Sequence, residues 1–302
     1  FFLTIKGYMM SDLVTLVPSE GTSVAEMMGI PQDSKPKSQS TLASLGVLND
    51  AIMGTVEVNG KKVKTEIVPS TAFRLRISEE EKVYSDGVTI RTFAVRQRWT
   101  KWNGEEGNFI KSTMAPNLKV DLKDNKGGFN CNRPSGFFED FHSLPPDMQQ
   151  RIRTVKRTQV ILGEVQMDNP VDAEGNTLSE YEGKWVPFVY EIKSNQSIKS
   201  LNKVYGSLIN KHGETGTIKF TQKLAGKEEI AKSGKPYAVF EASAGDSFGM
   251  DTGDSVKLSD FNDWIIRANK YVEDEWDRNS VDSFSDDDSA LVSAMVDVEE
   301  SD

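Results

Sequence analysis

Alternation of apolar and polar residues is the main pattern of the chain from about residue 50 onward, and a period of two residues is typical of β-strands. It first appears in Thr55–Val58 and Lys61–Val68, on either side of Asn59-Gly60. An Asn-Gly pair between two alternating segments predicts a hairpin, because a type I′ turn needs positive φ at both central residues. Phe73–Ile77 predicts a further strand with arginines on its polar face.

A longer strand is predicted over Val88–Trp99. Successive side chains of a strand point to opposite faces, so Phe93 and Trp99 are expected on one face and Arg96 and Arg98 on the other. The Gly-, Asn- and Lys-rich segment that follows this strand is predicted to be irregular.

The second half of the chain mixes strand and helix patterns. Predicted strands cover Thr154–Met167, Trp185–Lys193, Thr217–Leu224 and Tyr237–Ala242, and predicted helices cover Ser194–Lys211 and a segment from Ser259 to Val272. One helix set between strands is the order of an oligonucleotide-binding barrel, the OB-fold. We therefore expect a mainly β, α+β domain with peripheral helices, built on an OB-fold-like barrel with long insertions. An immunoglobulin-like sandwich is the alternative.

Composition divides the chain into three parts. Residues 1–48 are expected to be a flexible N-terminal arm, because Pro31–Ser40 has the composition of a linker. Residues 49–272 are expected to form the domain with its C-terminal helix, and residues 273–302 a disordered acidic tail.

Cysteine use and hydropathy bear on where the protein works. A single cysteine, Cys131, allows no internal disulfide, which fits a reducing compartment such as the cytoplasm. No segment approaches the ~18 apolar residues of a membrane span, so we expect no membrane contact. One cysteine and two histidines cannot supply a usual zinc site, and we expect no metal or cofactor. The natural start is expected at Met9 or Met10, with residues 1–8 translated from upstream.

The net charge of −10 is concentrated at the C-terminus. Residues 273–302 hold twelve acidic residues and one basic residue, about −11, whereas the rest of the chain holds 35 basic and 34 acidic groups, about +1. A nearly neutral body with an anionic tail favours a body that binds an anion which the tail can imitate. Nucleic acid is the commonest such anion. The alternative is a tail that only keeps the protein in solution.

Basic residues and aromatic rings alternate in the middle of the chain. Residues 91–160 contain thirteen basic and seven acidic residues, and Arg96–Trp102 alternates cations with indole rings. Single-stranded nucleic acid needs this combination, because cations neutralise phosphates and flat rings stack unpaired bases at about 1–3 kcal/mol each. We expect Trp99, Trp102 and Phe129 to stack bases. All nucleic-acid-binding candidates are Arg74, Arg76, Arg91, Arg96, Arg98, Trp99, Lys101, Trp102, Lys111, Lys119, Lys123, Lys126, Phe129, Arg133, Arg151, Arg153, Lys156 and Arg157.

These residues also have simpler structural interpretations. Trp99 can be a core residue on the inner face of its strand, Arg151–Arg157 a solvated strand face, and Gly127-Gly128 a plain tight turn. Cys131 has no candidate base beside it, so a buried structural cysteine is the expectation.

The acidic tail contains an apolar segment of its own. Leu291, Val292 and Met295 fit one face of a short helix, as in acidic segments that fold on a partner. We expect the tail to occupy the basic groove when no strand is bound and to recruit partners when it is displaced. The partner-binding candidates are Asp286, Asp287, Asp288, Leu291, Met295, Glu299 and Glu300.

In organisation the chain resembles the phage-type single-stranded DNA-binding proteins, in which an OB-fold body binds unpaired strands and an acidic C-terminal tail contacts the replication machinery. The resemblance rests on the β-rich body, the Arg96–Trp102 and Lys111–Gly136 segments and the tail, and it covers about residues 50–302. Tails of that family usually end with an aromatic residue, whereas this one ends Glu300-Ser301-Asp302. Met295-Val296 would have to substitute for that residue.

The resemblance implies a non-catalytic role in DNA replication, recombination or repair, in the host cytoplasm if a phage encodes the chain. It implies polymerase and helicase-primase as partners of the tail, and it leaves open whether the chain forms a homodimer. Two other classes stay open: a virion structural or assembly protein, and a Mg²⁺-dependent nucleic-acid enzyme. The sequence lacks the Walker A, zinc-protease and nucleophile-elbow motifs of common enzyme families.

Overall fold

Strands make up more of the chain than helices in the computed structural model, which describes residues 42–58, 61–135, 140–231 and 233–281. The strands are β1 (Ala43–Val47), β2 (Ile52–Val58), β3 (Lys61–Val68), β4 (Phe73–Arg76), β5 (Lys82–Ser85), β6 (Gly87–Asn103), β7 (Asn108–Lys111), β8 (Val155–Met167), β9 (Val186–Ile192), β10 (Phe220–Ile230) and β11 (Pro236–Ser247). The helices are α1 (Pro146–Thr154), α2 (Asn195–His212), α3 (Gly216–Lys219) and α4 (Gly253–Val281).

Nine of the described strands form one mixed sheet in the order β11-β10-β6-β8-β9-β1-β4-β5, with β7 paired to the far end of β6. Strands β6 and β8 pair antiparallel from Val88↔Met167 to Lys101↔Val155. Strand β1 pairs parallel with β9 and antiparallel with β4, so it joins the two parts of the sheet. The chain is therefore mainly β with few helices, which confirms the expected α+β class.

Helices cover both faces of this sheet. On one face, the α2 face, Ile198, Leu201 and Tyr205 pack into the larger apolar cluster at helical spacing. On the other, the α4 face, Phe261 and Ile265 pack into a second cluster. Burial of a large apolar side chain stabilises the fold by about 1.5–3 kcal/mol, so both helices are firmly attached. None of the described helices is long and apolar enough to cross a membrane.

The sheet has two ends, and closure into a barrel is not found among the described strands. The expected OB-fold-like barrel is therefore not confirmed. A closed barrel fills its interior with the side chains of its own strands, whereas here a separate helix packs on each face.

The edge strand β11 is shielded by side chains. Its backbone N–H groups at residues 238, 240 and 242 donate hydrogen bonds to the side-chain oxygens of Asn49, Ser197 and Ser200, at 3.0, 3.0 and 2.8 Å. Unpaired edge groups can otherwise pair with another chain. Helix α2, which carries both serines, therefore covers this edge as well as the core.

A β-bulge in β6 changes which side chains share a face. The pairing with β8 shifts between Thr92 and Ala94, and one extra residue reverses the alternation beyond it. Phe93 consequently packs against Phe261 of α4, with ring centroids 5.4 Å apart, whereas Trp99 lies on the α2 face. The prediction that Phe93 and Trp99 share a face is wrong for this reason.

Other elements agree with the sequence patterns. The β2–β3 hairpin is confirmed, with Val58 paired to Lys61, and β8, β9 and α2 end within one residue of their predicted bounds. Strand β1 lies within residues 1–48, which are predicted to be a flexible arm. It belongs to the sheet instead, because Ala43 and Leu45 are buried in the core on the α2 face. Residues 1–41 of that arm lie outside the described residues.

Two helices differ from what the sequence pattern indicates. Helix α1 continues through Thr154, so Arg151 and Arg153 lie on its last turn, where the helix dipole stabilises cations. The alternative of one strand face over Arg151–Arg157 is therefore wrong. Helix α4 runs from Gly253 to Val281 and includes nine residues of the expected tail, because contacts beyond the local sequence hold both of its ends.

The first of those contacts is a buried ion pair. Arg91 is 0% exposed, and its guanidinium donates to Asp254 of α4 at 2.7 Å and to Glu164 of β8 at 3.1 Å. Burial alone would raise the pKa of Asp254, but the hydrogen bond from Arg91 holds it below its ordinary value. The carboxylate therefore contributes stability at neutral pH that is lost in acid as it takes up a proton.

Replacing Arg91 by Met should destabilise the fold by about 3–5 kcal/mol, because the buried Asp254 loses its hydrogen-bonded cation, whereas Glu164 keeps Lys257 at 2.9 Å. Urea unfolding followed by tryptophan fluorescence measures the change. The control is Arg74→Met on β4, an exposed position where a change within about 0.5 kcal/mol is expected. Equal unfolding midpoints for the two variants would show that the ion pair does not hold α4.

Candidate nucleic-acid interface

A groove lies on the α2 face, where the far end of β6 pairs with the start of β8. It has a volume of about 390 Å³ and is lined by Gln97, Trp99, Leu118, Lys119, Val120, Asp121, Asn130, Arg133, Pro134, Ser135 and Arg157. Four of these residues, Trp99, Lys119, Arg133 and Arg157, are candidates from the sequence. We call this cavity the Trp99 groove.

One ring and two guanidinium groups form the centre of the Trp99 groove. Trp99 and Arg157 are direct partners across β6 and β8, so their side chains stand side by side on one face. The guanidinium carbon of Arg133 lies 4.8 Å from the centre of the Trp99 ring, and its Nη1 donates to the carbonyl oxygen of Ile152 at 3.0 Å. Burial lowers the pKa of Arg133, but arginine stays charged in proteins.

Positive charge exceeds negative charge in the groove. Three of its lining side chains are cationic and one, Asp121, is anionic. Hydrogen bonds from Ser135 and Asn130 lower the pKa of Asp121, so its carboxylate is ionised at neutral pH. The remaining excess of cations favours an anionic ligand.

The loop that lines the groove is held by the buried carboxylate of Asp124. It accepts hydrogen bonds from the backbone N–H groups of Lys126, Gly128 and Cys131, at 3.0, 3.1 and 2.9 Å. Residues 130–132 have φ of 54, 55 and 65°, a conformation that is uncommon outside glycine. The prediction that the segment after β6 is irregular is wrong for Asn108–Lys111, which form β7. The loop that follows is irregular, and specific hydrogen bonds fix its backbone.

Trp102 lies on the opposite face, in what we call the Trp102 cluster: Arg98, Trp102, Phe109, Lys111, Glu191 and Lys193. Trp102 and Phe109 are direct partners across β6 and β7, with ring centroids 4.9 Å apart in an edge-to-face contact. The Nζ of Lys193 lies 3.4 Å from the centre of the Phe109 ring. Trp102 itself is 54% exposed, so an aromatic ring is open to solvent in the same cluster as these cations.

Glu191 connects the cations of the Trp102 cluster. Its carboxylate accepts a hydrogen bond from Lys111 at 3.1 Å and another from Arg98. Burial alone would raise the pKa of Glu191, but Arg98 and Lys111 hold it below its ordinary value. Burial lowers the pKa values of Lys111 and Lys193, Glu191 opposes this, and the neighbouring cations add to the lowering.

The C-terminal end of α4 covers a third group of candidates. Trp276 packs against Phe129 with ring centroids 5.6 Å apart. The Nζ of Lys123 lies 3.9 Å from the centre of the Trp276 ring and 3.6 Å from a carboxylate oxygen of Asp277. An acidic helix end therefore lies against a predicted cation and a predicted stacking ring.

Gly127 permits this close approach. Its φ is 80°, and a Cβ at this position would lie 2.9 Å from the carbonyl carbon of Asn279 in α4. Nearby, the amide nitrogen of Asn279 donates to the carbonyl oxygen of Asn125 at 2.9 Å. The glycine turn thus makes room for the helix, in addition to reversing the chain.

The remaining candidates lie apart from the two clusters or in other contacts. Arg91 is buried beneath α4, and Arg74 and Arg76 are exposed on β4, four strands and roughly 19 Å from β6. Two further candidates form ion pairs: Lys126 with Glu106 at 2.6 Å and Arg151 with Asp147 at 3.7 Å. Arg96 donates to the carbonyl oxygen of Val95, and the guanidinium carbon of Arg153 lies 5.0 Å from the centre of the Phe141 ring. Lys101 is half-buried and Lys156 is exposed.

The candidates of the acidic tail, Asp286, Asp287, Asp288, Leu291, Met295, Glu299 and Glu300, lie outside the described residues, so their placement stays a prediction. Sequence reasoning also missed three residues of the interface: Phe109, Lys193 and Trp276. A hairpin turn at Gly104–Gly107 between two aromatic residues was a signal for Phe109. Trp276 was hidden by the assignment of its acidic segment to the tail.

Comparison of the chain with protein-family models, with curated proteins and with solved structures finds no match in any of the three. The interface is therefore interpreted from its own geometry. Within the described ranges, no group of three or more His, Cys, Asp and Glu side chains is arranged to hold a metal ion.

The reactivity of the buried Cys131 thiol measures how firmly Asp124 holds the loop that lines the groove. Burial raises the pKa of its thiol to about 12, so native protein should react very slowly with a disulfide reagent such as DTNB at pH 8. Asp124→Asn should speed labelling by about tenfold or more, because one of the two accepting oxygens becomes an NH2 group and the negative charge that helps to raise the thiol pKa is removed. Asp147→Asn on α1 is the control. Rapid labelling of the wild-type protein, or equal rates in the two variants, would contradict this description.

Proposed function

We propose that this chain is a non-enzymatic, sequence-tolerant single-stranded DNA-binding protein. The observation that carries the proposal is the Trp99 groove, in which an indole ring lies beside Arg133 and Arg157, with the exposed Lys119 on the same cavity wall. Its volume of about 390 Å³ falls within the range of pockets that hold small organic groups.

The chemistry of the groove matches an unpaired strand. Cations neutralise phosphates, and an indole ring can stack a base, which is independent of sequence because every base has a flat face. Duplex DNA hides its base faces inside the stack, so an aromatic ring in a cationic groove adds less to duplex binding. Binding of this kind weakens steeply with salt, because each neutralised phosphate releases counterions.

The acidic end of α4 supports the regulatory part of the proposal. Asp277 pairs with Lys123, and Trp276 covers one side of Phe129, which is still 48% exposed. The segment from 282 to 302 adds eight acidic residues and no basic ones directly after this contact. We propose that it competes with the strand for the basic interface.

The finer parts of the proposal come from the resemblance to phage-type single-stranded DNA-binding proteins. They are an OB-fold-like barrel, a role in DNA replication, recombination or repair in a host cytoplasm, and recruitment of polymerase or helicase-primase through the tail. The apolar Leu291 and Met295 between acidic residues support a segment that folds on a partner.

Changing Lys119 and Arg157 together to Gln should weaken oligo-dT binding and make it less dependent on salt. If each residue neutralises one phosphate, the slope of log K against log salt should fall by about 1.4 in magnitude. The matched control is Arg74→Gln with Arg76→Gln, which removes the same charge on β4. Fluorescence titration at several salt concentrations measures both. Equal weakening in the two double variants would mean that overall charge, and not the groove, binds the strand.

Deletion of residues 282–302 should tighten oligo-dT binding at low salt by about fivefold or more, because a competing polyanion is removed while α4 stays complete. The effect should shrink at high salt, where charge interactions are screened. A chain of full length with the eight acidic residues changed to Asn or Gln separates charge from length. Unchanged affinity of both variants at low salt would end the idea of competition.

A further inference from the structure

The Trp102 cluster and the Trp99 groove lie on opposite faces of one strand. Residues 99 and 102 are three positions apart in β6, and an odd separation places two side chains on opposite faces. Their partners confirm the division: Trp99 pairs with Arg157 of β8 on the α2 face, whereas Trp102 pairs with Phe109 of β7. One base-stacking surface cannot include both rings.

Charge in the Trp102 cluster is not balanced. Arg98, Lys111 and Lys193 are cationic, and Glu191 is the one carboxylate that pairs with them among the described residues. Burial disfavours the charged form of both lysines, and the nearby arginine disfavours it further. An added anion would relieve this repulsion.

A buried donor in the cluster also lacks an acceptor. Arg98 is only 6% exposed, and within the described residues its Nε has no hydrogen-bond partner. A buried guanidinium N–H without an acceptor costs free energy, and a bound oxyanion or an ordered water is the usual solution. Two lysines stand beside it, so the charge of Arg98 adds to the attraction of the cluster for an anion.

Trp102 supplies the second half of a nucleotide site. Trp102 is 54% exposed, its edge contact with Phe109 limits its rotation, and Lys193 lies over the Phe109 ring. An open ring in the same cluster as several cations can bind a base together with its phosphate.

We propose that the Trp102 cluster is a second site for single-stranded DNA, separate from the Trp99 groove. A base stacks on Trp102, and the adjoining phosphate binds Lys111 and Lys193. The proposal rests on the proposed function for its class of ligand, but it adds a site, a stoichiometry and a residue, Lys193, that the groove does not use. A long strand can engage both sites only by passing from one face of the sheet to the other.

The test is isothermal titration of the full chain at low salt with an oligo-dT of about five nucleotides, close to the smallest strand-binding sites. Wild-type protein should bind two oligonucleotides per chain. The double variant Trp102→Ala with Lys193→Gln should bind one oligonucleotide, in the Trp99 groove. The double variant Lys119→Gln with Arg157→Gln should also bind one, at the Trp102 cluster. Lys184→Gln, which removes a lysine 5.0 Å from the Tyr181 ring near the opposite end of β9, is the matched control and should bind two.

The outcomes separate the two proposals. If wild-type protein binds one oligonucleotide and the Lys119–Arg157 variant binds none, the second site is overturned and the groove is the binding surface. If wild-type protein binds one and only the Trp102–Lys193 variant binds none, the groove is overturned and strand binding belongs to the Trp102 cluster. Absence of binding by folded wild-type protein would overturn both. Unchanged circular dichroism and thermal midpoints of the variants show that each one is folded.

Discussion

The alternation of side chains along β6 is the constraint on which the rest of the structure depends. This strand of 17 residues lies inside the sheet between β10 and β8, and its period of two places neighbouring residues on faces covered by different helices. The bulge at Phe93 reverses the assignment once. Before the bulge, the odd-numbered Arg91 lies on the α4 face and pairs with Asp254 of that helix. After it, the odd-numbered Trp99 lies on the α2 face and the even-numbered Trp102 on the α4 face. A slip of one residue in pairing would exchange core and surface along the whole strand.

The contacts that hold helix α4 to the rest of the protein are stronger at its start than at its end. Its first turn is fixed by Asp254 in a fully buried pair with Arg91, and its middle is fixed by apolar packing. Its last turns are held by the partly exposed pair of Lys123 with Asp277 and by the Trp276 contact. Exposed pairs are weak and screened by salt, whereas buried contacts are not. Detachment of the helix should therefore begin at the end that lies on the basic loop.

Local patterns predicted a good part of this fold. The Asn59-Gly60 hairpin, β8, β9 and α2 could be predicted because each one depends on neighbouring residues alone. The bulge at Phe93, the burial of Arg91 and the place of β1 could not, because they depend on pairings with distant strands and helices. Many of the interface residues could also be predicted, because basic and aromatic residues lie close together in the local sequence. Alternation along the predicted strand placed Trp99 and Arg98 on opposite faces. It could not place Trp102, because that depends on the extension of β6 beyond Trp99 and on the pairing with β7.

The side-chain cover of β11 has a consequence for crowding. A protein that coats a long polymer is held with many copies of itself at high local concentration, the condition under which bare sheet edges join into fibres. Here Ser197 and Ser200 of α2 already accept hydrogen bonds from alternate outward amides of β11. A neighbouring copy would first have to displace a helix packed on the core. Edge-to-edge pairing through β11 is therefore disfavoured even where many copies of the chain are held close together.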